Sequence, residues 1–454
     1  MSGAISVPDV VAVVDEGLGN SSYLVDLGDG SALVVDPVRD ADGYLAEADR
    51  RGLRITRSAE THLHADFVSG SRELAARGAR VIAARSAGLE HPHHGLEGGE
   101  ELDMGGLTLV ALATPGHTPE HLAYLLRDGQ RPLALFSGGS LLVGAVARTD
   151  LISAERTEEL ARLLWRSIQD QLLSLPDEVP VHPTHGAGSF CSVAPGGERV
   201  TTIGRERSSN PLLAAPDEDA FVARLLAGFG TFPPYFLELR EVNRRGPDVY
   251  GERPSLSQLG VSTVTGLVAQ GTVVVDVRGV EAFAAGHMPG SLSIPLRPQF
   301  ASWLGWLVGR DQDIVFVLDA DQNRAELVRQ CLAIGYERLA GELAGGIDSW
   351  RSKGNPVATM SLVLPDEAIG TVVDVRQRNE FSAGHVPGAV SMELGDTAEQ
   401  LSTLPAGPLT VMCGHGERAM SAASILAAEG RTDVSVLLGG PADVVAARHQ
   451  RLAV

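Results

Sequence analysis

Thr61-His62-Leu63-His64-Ala65-Asp66-Phe67-Val68-Ser69-Gly70 places two histidines and an aspartate within five residues. The stretch follows an expected strand, Leu53 to Ser58, and precedes an expected helix, Ser71 to Gly78. Loops at strand ends are common mounts for chemistry, and H-x-H-x-D puts three candidate metal ligands on one turn. Upstream, apolar runs read as strands at Val10–Val14, Ser22–Val25 and Ala32–Asp36, with Ala41 to Arg51 as a helix. Downstream, Val81–Ala83, Leu107–Leu112 and Leu133–Phe136 read as strands. Two further histidines stand at strand ends, His117 after Thr114-Pro115-Gly116 and His185 after Val181-His182-Pro183-Thr184. Two β-rich halves with outer helices predict an α/β sandwich.

The full length of 454 residues implies more than one domain. A net charge of −20 argues against nucleic acid and against an anionic membrane surface as partners. Three widely spaced cysteines, Cys191, Cys331 and Cys413, make no disulfide framework and fit a reducing compartment. Met1 to Ala4 lack a basic segment, Asp9 interrupts the apolar run that follows, and no run reaches membrane-spanning length. The expectation is a soluble cytoplasmic protein. Whether copies of the chain form a homo-oligomer is open.

The ordered motifs H-x-H-x-D, Thr114-Pro115-Gly116-His117-Thr118-Pro119, Phe136-Ser137-Gly138 and Pro183-Thr184-His185-Gly186 resemble the metallo-β-lactamase superfamily. Glu60 to Asp66, Ala147-Arg148-Thr149-Asp150, His185 to Ser189, and Thr202 to Arg207 with Asn210-Pro211 resemble its persulfide dioxygenase branch over residues 8 to 250. That resemblance implies iron(II) on two histidines and one aspartate. Position by position the histidines are His62 and His117, but the aspartate position holds Gly139. Phe67 replaces a histidine that serves a second metal in binuclear hydrolases of the superfamily, which disfavours a two-metal site. Compensation could come from His64, giving a three-histidine zinc-like site, from Asp66, or from water; His185 is a further candidate. Iron(II) and zinc are the candidate metals. His91, His93 and His94 read as a solvated tract, His121 and His182 lie off the ligand positions, and Cys191 reads as structural. Arg148 and Asp150 read as a loop-holding ion pair.

A repeat follows. Val273 to Arg278 is echoed by Val372 to Arg376, and Gly286-His287-Met288-Pro289-Gly290 by Gly384-His385-Val386-Pro387-Gly388. Two copies of a small α/β domain with parallel sheets are expected, and both resemble the rhodanese family. The expected domains are 1–250, 256–357 and 358–454. Cys413-Gly414-His415-Gly416-Glu417-Arg418 joins a strand to a helix expected over Ala419 to Glu429. Backbone amides of such a loop favour a thiolate, and Arg418 could grip an anion. The loop of Gly414, His415, Gly416 and Glu417 would be the substrate cradle. Thiolate attack on sulfane sulfur would then give a Cys413 persulfide, as in rhodaneses. Four residues between Cys413 and Arg418, rather than five, favour sulfur over phosphate chemistry. In the first copy Asp319 takes the cysteine position and Arg324 matches Arg418, so this copy reads as silent, with Cys331 as core packing.

The resulting expectation is an enzyme of sulfide and persulfide metabolism. Sulfur transfer through Cys413 would be coupled to a persulfide dioxygenase-like metal domain. Its small-molecule partners would be a low-molecular-weight thiol persulfide, thiosulfate or sulfite. One alternative is a zinc-dependent thioester hydrolase like glyoxalase II; another is a sulfurtransferase whose metal domain is only a scaffold.

Overall fold

The computed structural model describes residues 8–192 and 196–452, with side chains through residue 447. The Met1 to Ala4 segment lies outside them. The described residues form two compact units, one of residues up to 253 with 329–335, the other of 254–328 with the remainder. No helix among the described residues is long and apolar enough to cross a membrane.

The first unit contains two six-stranded sheets. One runs in chain order through Val10–Asp15, Asn20–Asp26, Ser31–Val35, Arg54–Ala59, Arg80–Ala84 and His94–Leu96. The other runs from Thr201–Thr202 through Pro180–Pro183, Arg131–Gly138, Leu122–Asp128 and Thr108–Ala113 to Glu101–Asp103. Strand alternation builds the layers, because successive side chains leave opposite faces. Tyr23, Val25, Leu33 and Val35 of one sheet share a buried core with Leu109, Tyr124, Leu126 and Phe136 of the other. The intervening Leu24 and Val34 face outward onto Tyr44 and Ala48 of the helix Asp42–Arg50. Leu125 and Leu135 pack in the same manner on Ala161, Leu164 and Phe221. The outcome is the αββα sandwich expected from the sequence.

The second unit holds two five-stranded, all-parallel sheets of the same topology. The repeated D-V-R and G-H motifs are latches. Arg278 Nε and Nη2 donate to Asp276 at 2.9 and 2.6 Å, and Nη2 also donates to Gly286 O at 2.8 Å. His287 stacks on Phe283 at 3.8 Å. Arg376, Asp374, Gly384, His385 and Phe381 reproduce all of this in the second repeat. The repeats also share one core, in which Val280, Phe283 and Ala284 of the first meet Val373, Val411 and Ala419 of the second.

Arg278 is 4% exposed and its partner Asp276 is fully buried, so removing the guanidinium strands a carboxylate. Arg278→Ala should lower the stability of this unit by about 3–5 kcal/mol. Urea unfolding followed by tryptophan fluorescence reads it, since Trp303, Trp306 and Trp350 all lie in this unit. A loss below about 1 kcal/mol would contradict the latch.

Candidate functional site

The H-x-H-x-D stretch is held from beneath by Asp36, at the end of strand Ser31–Val35. Asp36 is fully buried and has a φ of +49°, in the left-handed region that non-glycine residues rarely adopt. Its carboxylate accepts the Thr61 N–H and the Thr61 hydroxyl, each at 2.7 Å, and the Thr184 hydroxyl. His64 Nε2 lies 3.2 Å from Asp36 and 3.0 Å from Glu60. Burial opposes charge on His64, yet these two carboxylates prevail and push its pKa up to about 10. His64 is thus tied to the scaffold, with its ring stacked on Phe67 at 4.1 Å.

The helix Phe236–Arg245 clamps the same loop. Asn243 accepts from Ser69 N–H and donates to the carbonyls of His64 and Phe67. Arg240 makes a two-pronged pair with Glu120 at 2.8 and 2.9 Å, and Glu120 accepts the Leu63 N–H.

Three other imidazoles converge. The ligand-type atoms of His62, His117 and His185 all lie within 4.8 Å of one another, and each residue is at most 3% exposed. His62 Nδ1 faces Thr61 Oγ1 at 2.8 Å. The Thr61 proton goes to Asp36, so that nitrogen carries a hydrogen. His117 Nδ1 faces the Arg148 carbonyl at 2.6 Å and is likewise a donor. His185 Nδ1 faces Asn20 Oδ1 at 3.1 Å and Asp66 Oδ2 at 3.2 Å. Burial and then the neighbouring imidazoles push the pKa values of His62 and His117 well below 6.5, which keeps them neutral. Asp66 is 2% exposed and neither of its oxygens accepts an aligned hydrogen bond. Buried lone pairs without donors are costly, and this donor set fits a bound cation.

His121 stacks on His62 at 5.1 Å, but its nitrogens are engaged elsewhere. Its Nδ1 bonds Thr114 Oγ1 at 2.8 Å, and its Nε2 accepts the Gly139 N–H at 3.0 Å, which uses both ring nitrogens. His182 packs against Phe136 and Tyr23. Arg148 pairs with Asp150 at 2.6 and 2.7 Å. Cys191 is fully buried, and its sulfur lies within 4.8 Å of ligand-type atoms of Asp66 and His185.

In the second unit, Cys413 follows the strand Leu409–Met412, and the helix Glu417–Ala428 starts four residues later. Gly416 has a φ of +109°, which favours glycine, and turns its N–H onto Cys413 Sγ at 3.1 Å. Arg418 does not point at an open cradle: its two terminal nitrogens bind Glu380 at 2.6 and 2.9 Å. The first repeat borders this loop. Arg297 pairs with Glu417 at 3.0 Å, and the Trp303 ring lies 5.6 Å from the Arg418 guanidinium carbon. The Ser421 hydroxyl bonds the Ser293 carbonyl at 2.5 Å. At the matching place in the first repeat, Arg324 Nη1 donates to the carbonyls of Asp319, Ala320 and Gln322. That loop is closed on its own arginine and turns carbonyls, not amides, toward it.

The sequence reading named His62, His117, His185 and Cys413, but not the groups that aim them: Asp36, Asn20, Asn243, Glu380 and Arg297. Asp36 carried one signal, an acid at the end of an apolar strand. Phe236 and Leu239 carried another, the i, i+3 spacing of a buried helix face.

Residues 15–202 match the metallo-beta-lactamase superfamily, and residues 262–353 and 363–447 each match the rhodanese-like domain. The mitochondrial persulfide dioxygenase of Homo sapiens is 29% identical over 191 residues, covering 41% of this chain and 68% of that protein. A hydroxyacylglutathione hydrolase of Methylococcus capsulatus is 34% identical over 205 residues, covering 41% of this chain and 75% of that protein. Among solved structures, a metallo-beta-lactamase from Staphylococcus aureus is 30% identical with a TM-score of 0.66, covering 75% of this chain and 99% of its own. With that fold, those motifs and these similarities, the chain belongs to the metallo-beta-lactamase superfamily and carries two rhodanese-like domains after its metallo-beta-lactamase domain.

Proposed function

We propose that this chain transfers sulfane sulfur through Cys413. The observation that carries the reading is the Gly416 N–H directed at Cys413 Sγ at 3.1 Å, at the N-terminus of the helix Glu417–Ala428. An amide donor and the positive end of a helix both stabilise the negative charge of a terminal persulfide. The Cys413 thiolate attacks the outer sulfur of thiosulfate. A new sulfur–sulfur bond forms, the old one breaks, and sulfite leaves with the electron pair. A thiol or sulfite acceptor then takes the outer sulfur and returns the thiolate, with no net oxidation.

Arg418 acts here as a positioning residue, because Glu380 occupies its fork. The first repeat, whose own loop lacks a thiol, serves the second. Arg297 neutralises Glu417, whose charge beside the cysteine would repel an anionic donor.

The likeness to a persulfide dioxygenase supports a second activity on the same chain, oxidation of a low-molecular-weight thiol persulfide at the His62–His117 site. A divalent metal there would supply a docking point for a thiolate and, in the case of iron, redox chemistry with oxygen. The protein's own part is to orient His62 through Thr61 and Asp36, and His117 through the Arg148 carbonyl. Sulfite from such an oxidation is an acceptor for Cys413. Oxygen uptake on a thiol persulfide supports this reading; thioester hydrolysis with zinc bound favours the likeness to hydroxyacylglutathione hydrolase instead.

Cys413→Ser should reduce thiosulfate sulfurtransferase activity by at least ~10³-fold; full activity in that variant would overturn the assignment. Arg297→Ala should raise the KM for thiosulfate roughly two- to fivefold with little change in kcat, and adding Glu417→Gln should restore it. An unchanged KM in the single variant would refute the role given to the first repeat.

A further inference from the structure

We propose that this chain holds one divalent metal ion on the Nε2 atoms of His62, His117 and His185, with His185 in place of the carboxylate that position 139 lacks. The superfamily motifs lead the eye to a two-histidine, one-aspartate triad, and the packing of Gly139 rules that set out here. A Cβ on Gly139 would lie 2.4 Å from His117 Cδ2 and 2.8 Å from His117 Cγ. The His117 ring fills the space that a residue-139 side chain would use, and the Arg148 carbonyl anchors that ring. An aspartate there could enter only by displacing a histidine ligand.

The three histidines are prepared for the task. Each has its Nδ1 on an acceptor: Thr61 Oγ1 for His62, the Arg148 carbonyl for His117, and Asn20 Oδ1 for His185. That leaves each Nε2 as the nitrogen available to a ligand. His62 Nε2 and His185 Nε2 stand 3.4 Å apart. Two nitrogens at about 2.05 Å on one tetrahedral ion are separated by about 3.3 Å, so the spacing suits a shared cation. Carboxylates behind ligating histidines fix the tautomer and raise basicity. Asp36 does this for His62 through Thr61, and the Asp66 carboxylate lies 3.2 Å from His185 Nδ1. The negative charge absent at position 139 is thereby supplied one layer further out. Three neutral nitrogens suit zinc(II), cobalt(II) or iron(II), and not a calcium-type ion that requires oxygen ligands. Cys191 lies near Asp66 and His185 and is left outside the proposed ligand set.

The test uses the purified full-length chain, cobalt(II) and zinc(II) titrations, and elemental analysis, with circular dichroism to show each variant folded. The wild type should bind about one ion. His185→Ala should weaken binding by more than about tenfold. Gly139→Asp should weaken it as well, because the new side chain dislodges His117. The cobalt spectrum should lack a thiolate charge-transfer band and be unchanged by Cys191→Ala. Unaltered binding in His185→Ala, tighter binding in Gly139→Asp, or a thiolate band abolished by Cys191→Ala would each overturn the proposal. The wild-type cobalt spectrum decides between histidine and thiolate ligation even if a variant does not fold. None of these readouts depends on sulfur transfer at Cys413.

Discussion

The Asp36 carboxylate gathers the strand ends on which the metallo-beta-lactamase domain depends. It accepts hydrogen bonds from Thr61, at the end of one strand of its own sheet, and from Thr184, at the end of a strand of the other sheet. Both sheets of the sandwich are thus tied at the edge that carries the histidines. The tie is made with a positive φ at a non-glycine residue, a strain of order 1–3 kcal/mol. Four hydrogen-bonding contacts to one buried carboxylate offset it. The same carboxylate fixes His62 in one tautomer through Thr61 and withdraws His64 from the cluster.

The two halves of the chain meet the problem of a buried reactive group differently. In the first, three buried imidazoles converge on one another, an arrangement that suits a cation. In the second, a single thiol receives an amide at a helix N-terminus, and the arginine of the loop is neutralised by Glu380. The first rhodanese-like repeat has given up its own loop to Arg324, yet it contributes core side chains, Arg297 and Trp303 to the surroundings of Cys413. The first repeat thus forms part of the wall beside the Cys413 loop.

Much of this was legible from the sequence, for physical reasons. The αββα sandwich followed from alternating strands, and the repeat from paired D-V-R and G-H-x-P-G motifs, which prove to be an arginine latch and a histidine stack. The polar stretch around Arg244, by contrast, belongs to the end of a helix that clamps the H-x-H-x-D loop. Its buried face includes Asn243, and a polar residue that satisfies loop carbonyls does not register as apolar periodicity. The engagement of Arg418 with Glu380 was equally hidden, because the partners are 38 residues apart. The consequence of Gly139 was visible only as a missing ligand. That His117 occupies the vacated space, and that His185 closes the set, depends on contacts between strands far apart in sequence.

The central claim about function is that Cys413 carries the transferred sulfur. Mass spectrometry of peptides from the full-length protein, after brief exposure to thiosulfate without acceptor and after thiol alkylation, tests it directly. The account predicts one added sulfur atom on the Cys413 peptide, released sulfite in equal amount, and no added sulfur on the buried Cys191 and Cys331. An unmodified Cys413, or sulfur found on Cys191 in its place, would contradict it.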